Sequence, residues 1–475
     1  MSRWLFPGFL ALTLALYAMV LGGKPFLDDW VYVLAEPARH ILGAFGELHP
    51  GQFYRPLPLF LVAVLQLAGH GSPVPIHLLQ CVLHALLAVL VVSIAIRRGT
   101  PRGWAILAGV FMTASQSAAA AVGGYDTLSI TLSTFFGMAS LSLLLGPGRY
   151  GAAAAAFLGS LLCKESALGY LPLLALVAIR AHPTVGESSQ ATPFLRRRGA
   201  LFPFLLAAIA GGYLAWRTLL GAFAPSAGSG TYNMNLGGGI LRNLAMLWFA
   251  ALLPISSVDV FTAVAERNVA VALVGLAAVA VVLALLLLGF IRKGRWGRGL
   301  ALIAAGSVAL SPVLPLVHVS ELYAYTLLPF AALLLGESVG SLAAVGSGRF
   351  ARRALLSLAV LLLAANSIAT MSKALAMAEN GRRAERLLGA VAREMRSLPK
   401  GGTLTLVDPV LDHPNYSVFR FRSFLLVPDE KLVERSGRGD VKLLRVEARR
   451  DSSSSYHGTA DRVLTLDGQA LPVRL

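Results

Sequence analysis

The sequence predicts an all-α polytopic membrane protein that ends in a small α/β domain outside the bilayer. Three observations carry this. Mean hydropathy is +0.69. Hydrophobic residues make up 56% of the 475-residue chain and charged residues only 14%, against roughly 25% charged in ordinary soluble domains. Apolar runs long enough to cross hydrocarbon recur until about Met371, after which charge rises and the runs stop. The predicted organisation is therefore a membrane domain over 1–371 and a soluble α/β domain over 372–475.

The formal net charge of +17 does not point to nucleic acid. The Lys and Arg residues fall in short clusters between apolar runs rather than on one continuous face, the pattern of a topology signal. Two cysteines, Cys81 and Cys163, lie inside apolar stretches, so neither a disulfide framework nor a thiolate metal site is implied.

A helix needs about 20 apolar residues to cross the hydrocarbon. The first such run covers 5–22; no small-x-small site follows LALYAMV, so it reads as an anchor rather than a cleaved signal. Further runs begin near Pro75, Trp104, Thr127, Tyr150, Ala167, Leu201, Val269, Leu300, Leu322 and Ala354, making about eleven spans. Two apolar stretches are read as not crossing. LPLFLVAVLQLAG is too short and lies in the interface. ILRNLAMLWFAALLPIS, over 240–256, carries Arg242 and Asn243 and reads as interfacial or re-entrant.

Basic clusters set the orientation, because Lys and Arg in short loops mark the cytoplasmic side. The clusters are Arg97, Arg98 and Arg102; Arg196 to Arg198; Arg292, Lys293, Arg295 and Arg298; and Arg352 with Arg353. Placing all four inside puts the N-terminus in the cytoplasm and the C-terminal domain outside. In that domain, ALAMAENGRRAERLLGAVAREMRSL reads as an amphipathic helix, and TLTLVD and VFRFRSFLLV as strands. His413 and the SSSS stretch read as loops.

With that orientation, polar residues able to act gather at one face. The first outer loop, 23–74, holds Asp28 and Asp29 in GKPFLDDWVY, then Tyr54 and Arg55. Adjacent carboxylates at a membrane surface are costly unless they bind something or move a proton; a helix N-cap is the plainer alternative. Tyr125 and Asp126 sit at another outer turn, Lys164 and Glu165 interrupt an apolar stretch, and Glu321, Tyr323 and Tyr325 follow at a later turn. Each has a plain alternative: Arg55 as an interfacial anchor, Lys164 with Glu165 as a self-neutralising pair, Asp126 as an N-cap, the tyrosines as an aromatic belt. His77 and His84 lie near one helix face. His77 can line a cavity, whereas a hydrogen-bonded packing role suits His84.

The order of DDW, YRPL, PIHLLQCVLHALLA, CKESALGYLPLLAL and SELYAYTLLPFAALL resembles the GT-C superfamily of polyprenyl-phosphate-sugar glycosyltransferases. It most resembles the branch containing protein O-mannosyltransferases and lipid A aminoarabinose transferases. The resemblance covers roughly the first 370 residues as an ordered set of short patterns. It implies a GT-C-like fold with an outward cavity and inversion at the anomeric centre, and a place in the bacterial inner membrane. The implied partners are a polyprenyl-phosphate sugar such as an undecaprenyl-phosphate donor, membrane lipids, and an acceptor among lipid A, lipopolysaccharide or other cell-envelope glycans, and proteins. Asp28 and Asp29 match the acidic residue that activates the acceptor or, in some branches, helps hold a divalent metal such as Mg²⁺ or Mn²⁺. Tyr54, Arg55 and Pro56 are similar to the aminoarabinose transferase motif whose basic residue contacts the lipid phosphate. Leu57 stands where those enzymes often carry a second proline.

The chemistry asks independently for these residue types. Displacing a polyprenyl phosphate from an anomeric carbon needs a base near the acceptor hydroxyl and cations near the departing phosphate. Asp28 or Asp29 supplies the first; Tyr54, Arg55 and Lys164 form the donor phosphate site. His77, Asp126, Glu165, Glu321, Tyr323 and Tyr325 are the expected substrate contacts. Carboxylate oxygens suit hard cations, yet two adjacent acids do not make a complete metal site. A transporter or flippase of a lipid-linked or anionic substrate is the alternative from another class, although no repeated half stands out. A catalytically inactive scaffold is the third reading. No glycine-rich phosphate loop follows a strand, which argues against a nucleotide sugar as immediate donor.

Overall fold

Each predicted apolar run holds a helix in the computed structural model, which describes residues 3–48, 53–146, 149–180, 193–222, 234, 236–258, 260, 269–317, 320–344, 349–409, 424–448, 456–457, 462–465, 470–471 and 473–474. In chain order the helices of the first half are α1 (Leu5–Tyr17), α2 (Pro37–Gly43), α3 (Pro56–Ala68), α4 (Val74–Arg97), α5 (Arg102–Ala114), α6 (Ala119–Gly123), α7 (Leu128–Leu144), α8 (Tyr150–Cys163), α9 (Tyr170–Arg180) and α10 (Pro193–Leu219). Then come α11 (Gly239–Leu252), α12 (Val269–Ile291), α13 (Trp296–Ala309), α14 (Ala324–Ala344) and α15 (Arg349–Ser397).

Among the described residues, five helices can by length and composition cross a membrane unaided, and six if α5 and the Gln116–Gly123 segment, bent by 46° at Ser115, count as one. Several other predicted spans, α7 and α8 among them, are shorter apolar helices. Helices α7 and α8 pack on each other, and serines between them bond the facing backbone: Ser160 Oγ donates to Ser133 O (2.7 Å) and Ser140 Oγ to Ala153 O (2.7 Å). The two stretches expected not to cross form α3 and α11. By length they belong with α7 and α8 among the shorter apolar helices.

Burial sorts the helices into an inner and an outer set. The window containing α14 is 89% buried, whereas that of α12 is 28% and that of α15 is 22%. The exposed large apolar side chains of α15 include Leu356, Leu358, Val360, Leu361 and Ile368, the apolar surface expected against acyl chains. Helix α14 is accordingly the central post, with α4, α5, α11, α12 and α13 around it.

Helix α15 runs unbroken through position 371 and, at 49 residues, is about 73 Å long. Its second half carries the C-terminal domain, and Gly381 lets it press against the backbone of Lys24 in the first loop. The domain's strands are β1 (Thr403–Pro409), β2 (Lys442–Ala448), β3 (Tyr456–His457), β4 (Arg462–Thr465), β5 (Ala470–Leu471) and β6 (Val473–Arg474). The main sheet has the order β2-β1-β4-β5, with β1 parallel to both neighbours and β4 antiparallel to β5. Parallel pairing requires a crossover, and α16 (Asp429–Ser436), packed on α15, lies in the one between β1 and β2.

The expected strand at TLTLVD is β1. The expected strand at VFRFRSFLLV is not observed where it is described: Phe424–Leu426 forms a 3-10 turn, and the partner of β1 is β2. Phe424 and Leu426 are buried there, with the Phe424 N–H donating to Asp408 Oδ1 (2.7 Å), so this turn packs into the core beside β1. His413 and residues 418–423 and 452–455 lie outside the described residues.

Candidate functional site

The site begins with a strained turn. Leu27 has φ 54°, a left-handed conformation that costs a non-glycine residue of order 1–3 kcal/mol. It is followed at once by a 3-10 turn over Leu27–Tyr32. The two acids then face different surroundings. Asp29 is buried, its Oδ1 accepting the backbone N–H of Tyr125 (2.6 Å) and of Asp126 (3.3 Å), and its Oδ2 that of Phe26 (3.3 Å). Asp28 keeps exposed surface. One carboxylate is a clamp between loops and its neighbour is open to an incoming molecule.

The clamped turn is also gripped from below. Gln80, on α4, donates from Nε2 to Gly124 O (2.5 Å), Ala121 O (3.3 Å) and Thr127 Oγ1 (3.3 Å). His77, one turn earlier, stacks on the Tyr125 ring with centroids 4.9 Å apart and planes 18° apart. Together these contacts fix Asp126, which points back toward Asp28. Burial, and then the Asp28 charge, push the Asp126 carboxyl up to about 6, against the pull of Lys164 and Arg55. Burial likewise raises Asp28, with Arg55 opposing it. For Asp29, burial first and Asp126 second outweigh the three backbone N–H donors, and the pKa rises.

The cations come from helix ends. Arg55 caps α3, whose Pro56 supplies the fixed φ of a first helical position. Gln66 on the same helix ties the loop down, donating to Tyr32 O (2.6 Å) and accepting from the Leu34 N–H (3.2 Å). The buried Arg55 guanidinium donates to both oxygens of Glu165, from Nη2 at 2.8 Å and Nε at 3.3 Å, and sits 4.2 Å from the Phe53 ring centroid. Glu165 has a second cation, Arg217 on α10, at 3.8 Å.

Lys164 occupies the break between α8 and α9, in extended backbone with φ −161° and ψ 137°. It is 4% exposed. Its Nζ lies 5.4 Å from the Tyr323 ring centroid, and among the described residues it has neither a hydrogen-bond acceptor nor an ion-pair partner. A buried ammonium left in that condition is costly; an anion delivered by a ligand would relieve it. The self-neutralising Lys164–Glu165 pair is thus not formed, because Glu165 turns to Arg55 and Arg217.

The structure brings together Asp28, Asp29, Asp126, Arg55, Lys164, Glu165 and Tyr323, with His77 supporting the turn. It does not bring Glu321 or Tyr325 into this group. Glu321 accepts from Lys373 Nζ (2.7 Å) and Ser256 Oγ (2.7 Å). Lys373 also bonds Gln116, whose amide donates to the carbonyls of Ala250 (2.8 Å), Leu253 (3.2 Å) and Ile255 (3.1 Å). This is a knot joining α15 to the end of α11. Tyr325 is fully buried against His84, its hydroxyl 2.9 Å from Nδ1, while Nε2 lies 3.3 Å from Thr113 O, the packing role expected for His84. Tyr54 directs its hydroxyl to Phe45 O (3.2 Å) and its ring toward Tyr213, so it braces the loop beside Arg55.

Sequence reasoning passed over Arg217, Gln80 and Tyr32. Arg217 carried a signal, an arginine at the end of an apolar helix, where charge marks function or pairing. Gln80 and Tyr32 gave none. For a divalent metal the donor set does not fit: among the described residues no group of three or more His, Cys, Asp or Glu is arranged to hold one. The Asp29 oxygens are already taken by backbone amides, and Lys164 and Arg55 compete for the remaining acids.

No family model and no curated protein matches the sequence. Among solved structures the chain is similar to apo ArnT from Cupriavidus metallidurans, with 16% identity and a TM-score of 0.46 over 94% of this chain and 90% of that one. It is also similar to the Archaeoglobus fulgidus oligosaccharyltransferase in its complex with zinc and sulfate, with 11% identity and a TM-score of 0.44 over 85% of this chain. The same enzyme tethered to an acceptor peptide gives 12% identity and a TM-score of 0.41. The chain spans about 60% of the length of that oligosaccharyltransferase. Likeness at this level describes shape and assigns no residue a role.

Proposed function

We propose that this chain is an integral membrane glycosyltransferase that moves one sugar from a polyprenyl-phosphate donor to an envelope glycan, lipid or protein acceptor at the face bearing Asp28, with inversion. The observation that carries the reading is the pairing of an open carboxylate, Asp28, with a buried amine, Lys164, that makes no hydrogen bond or ion pair with any described residue. The donor phosphate lies against Lys164 and the remaining N–H groups of Arg55. Asp28 takes the proton from the acceptor hydroxyl as its oxygen bonds to the anomeric carbon. The bond from that carbon to the phosphate oxygen breaks on the opposite side, and its electron pair leaves with the polyprenyl phosphate. Cations held in a dry site stabilise that departing charge far better than in water. Glu165, clamped by two arginines, positions Arg55 rather than touching substrate.

This arrangement asks nothing of a divalent ion, so chelation is expected to leave turnover intact. The reading places the protein in a bacterial inner membrane with the site and the C-terminal domain periplasmic. The test reconstitutes purified protein with radiolabelled polyprenyl-phosphate sugars and a panel of envelope acceptors. Transfer with an inverted anomeric linkage, lost in Asp28→Asn, supports the proposal. Movement of the lipid-linked sugar across vesicles with no new glycosidic bond would replace it with the transporter reading.

A further inference from the structure

The turn that carries Asp28 has three sides. A 3-10 helix has three residues per turn, so side chains three apart eclipse one another and the element presents three rows. Over Leu27–Tyr32 the rows are Asp29 with Tyr32, Leu27 with Trp30, and Asp28 with Val31. The first row is buried against the membrane domain: Asp29 holds the Tyr125 and Asp126 amides, and Gln66 bonds Tyr32 O. The third row carries the open carboxylate.

The second row reaches the C-terminal domain. Trp30 donates its indole N–H to Leu426 O (2.9 Å), a residue 396 positions away in sequence. That carbonyl is itself fixed. Leu426 is fully buried at the end of the Phe424–Leu426 turn, whose first N–H is held by Asp408 Oδ1 near the end of β1 (2.7 Å). The following carbonyl, Val427 O, accepts from Arg445 Nη2 on β2 (3.0 Å). Trp30 is thereby tied to two strands of the sheet.

A second grip lies four residues before Asp28. A Cβ on Gly381, in the second half of α15, would collide with Lys24 O and stand 3.0 Å from Lys24 N, so backbone meets backbone there. Asp28 therefore sits between two contacts with the same part of the molecule, Lys24 before it and Trp30 after it. Leu27, directly before Asp28, holds φ 54°, and such a conformation persists only where its surroundings over-determine it. The membrane domain fixes one side of the turn, and α15 with the sheet fixes another.

We infer, on the glycosyl transfer proposed above, that Trp30 is a positioning residue through which the C-terminal domain sets the Asp28 carboxylate against the acceptor hydroxyl. Trp30 acts through the turn, not on the substrate. The donor cations Arg55 and Lys164 lie on other segments, at the start of α3 and in the α8–α9 break, so loosening the turn leaves the donor phosphate site in place.

The test perturbs the full-length protein from both ends of the contact. Trp30→Phe keeps an apolar ring and removes the N–H donor; Gly381→Ala forces the first loop away from α15. Gly389→Ala, on the same helix with only the tip of the Arg393 side chain within 4 Å of the new Cβ, is the control. Hydrogen–deuterium exchange over residues 27–33 should become about tenfold faster in Trp30→Phe and in Gly381→Ala, a local loosening, with exchange in α3 unchanged. In the transfer assay both should lower kcat by about tenfold or more at an unchanged donor KM, since a displacement of about 1 Å can cost about 100-fold. Gly389→Ala should match the unaltered protein in both measurements. Unchanged exchange in the two variants, faster exchange with kcat intact, or a loss that falls on donor KM alone would each overturn the positioning role. An unaltered protein that transfers no sugar would overturn the function proposed above and the positioning role with it, a result set apart from the others because the exchange response of the turn would persist.

Discussion

Asp29 Oδ1 accepts the backbone N–H of Tyr125 at 2.6 Å, so the first loop and the α6–α7 turn are held as one unit. This bond separates the roles of two adjacent acids that are alike in sequence. Asp28→Asn should lower transfer by about 10²–10⁴-fold, the usual worth of a general base, with a thermal midpoint kept or raised. Asp29→Ala should instead cost about 1–3 kcal/mol, because buried N–H groups lose their acceptor. Denaturation and turnover measured on both variants check the division; equal activity losses with equal stability would refute it.

Lys164→Gln removes a buried amine that makes no hydrogen bond or ion pair with any described residue. The expected result is a fall in turnover of about 10²–10³-fold with stability kept or improved, since an unpaired buried charge is a cost to the fold. Stability lost in proportion to activity would make Lys164 a structural residue.

Arg55 and Glu165 form a buried pair with bidentate geometry. Glu165→Gln strands two guanidinium groups and should destabilise by about 3 kcal/mol. In a double-mutant cycle with Arg55→Gln, a coupling of about 1–3 kcal/mol is expected. Additive losses would mean that the pair does not act as a unit.

The pH dependence follows from Asp126, whose carboxyl is raised to about 6 by burial and by Asp28. The folded protein binds this proton more tightly than the unfolded chain does, so the contribution to stability is full below about 4 and is lost as pH rises through about 6. Asp28 and Asp29, also raised, act in the same direction. Denaturation midpoints recorded from pH 4 to 8 should fall across that window in the unaltered protein and fall less in Asp126→Asn. Turnover should rise with pH as Asp28, held above the ordinary carboxylate range by burial, ionises.

Trp30 donates its indole N–H to Leu426 O at 2.9 Å, which places the first loop and the C-terminal domain on one face. Single cysteines at Glu36 and Glu430, introduced with buried Cys81 and Cys163 left in place, should be labelled by a membrane-impermeant reagent from the same side. Labelling from opposite sides would break the shared face.

The membrane class, the helix positions and the acidic-basic inventory of the site were legible in the residues alone, because hydropathy and the expense of charge in hydrocarbon leave marks in local composition. GKPFLDDWVY, YRPL and CKESALG announced where charge would sit, and the structure set most of those groups together. At the described end of VFRFRSFLLV, Phe424–Leu426 forms a 3-10 turn rather than the expected strand, because an apolar run also suits a buried turn. Local pattern could not say which neighbour each charge would choose. Tertiary packing turned Asp29 inward to the Tyr125 backbone and left Asp28 open. It drew Glu165 away from Lys164 to Arg55 and to an unsuspected Arg217, and removed Glu321 to a knot with Lys373. Pairing energies depend on distance and burial, and both are set by segments tens to hundreds of residues apart in the chain.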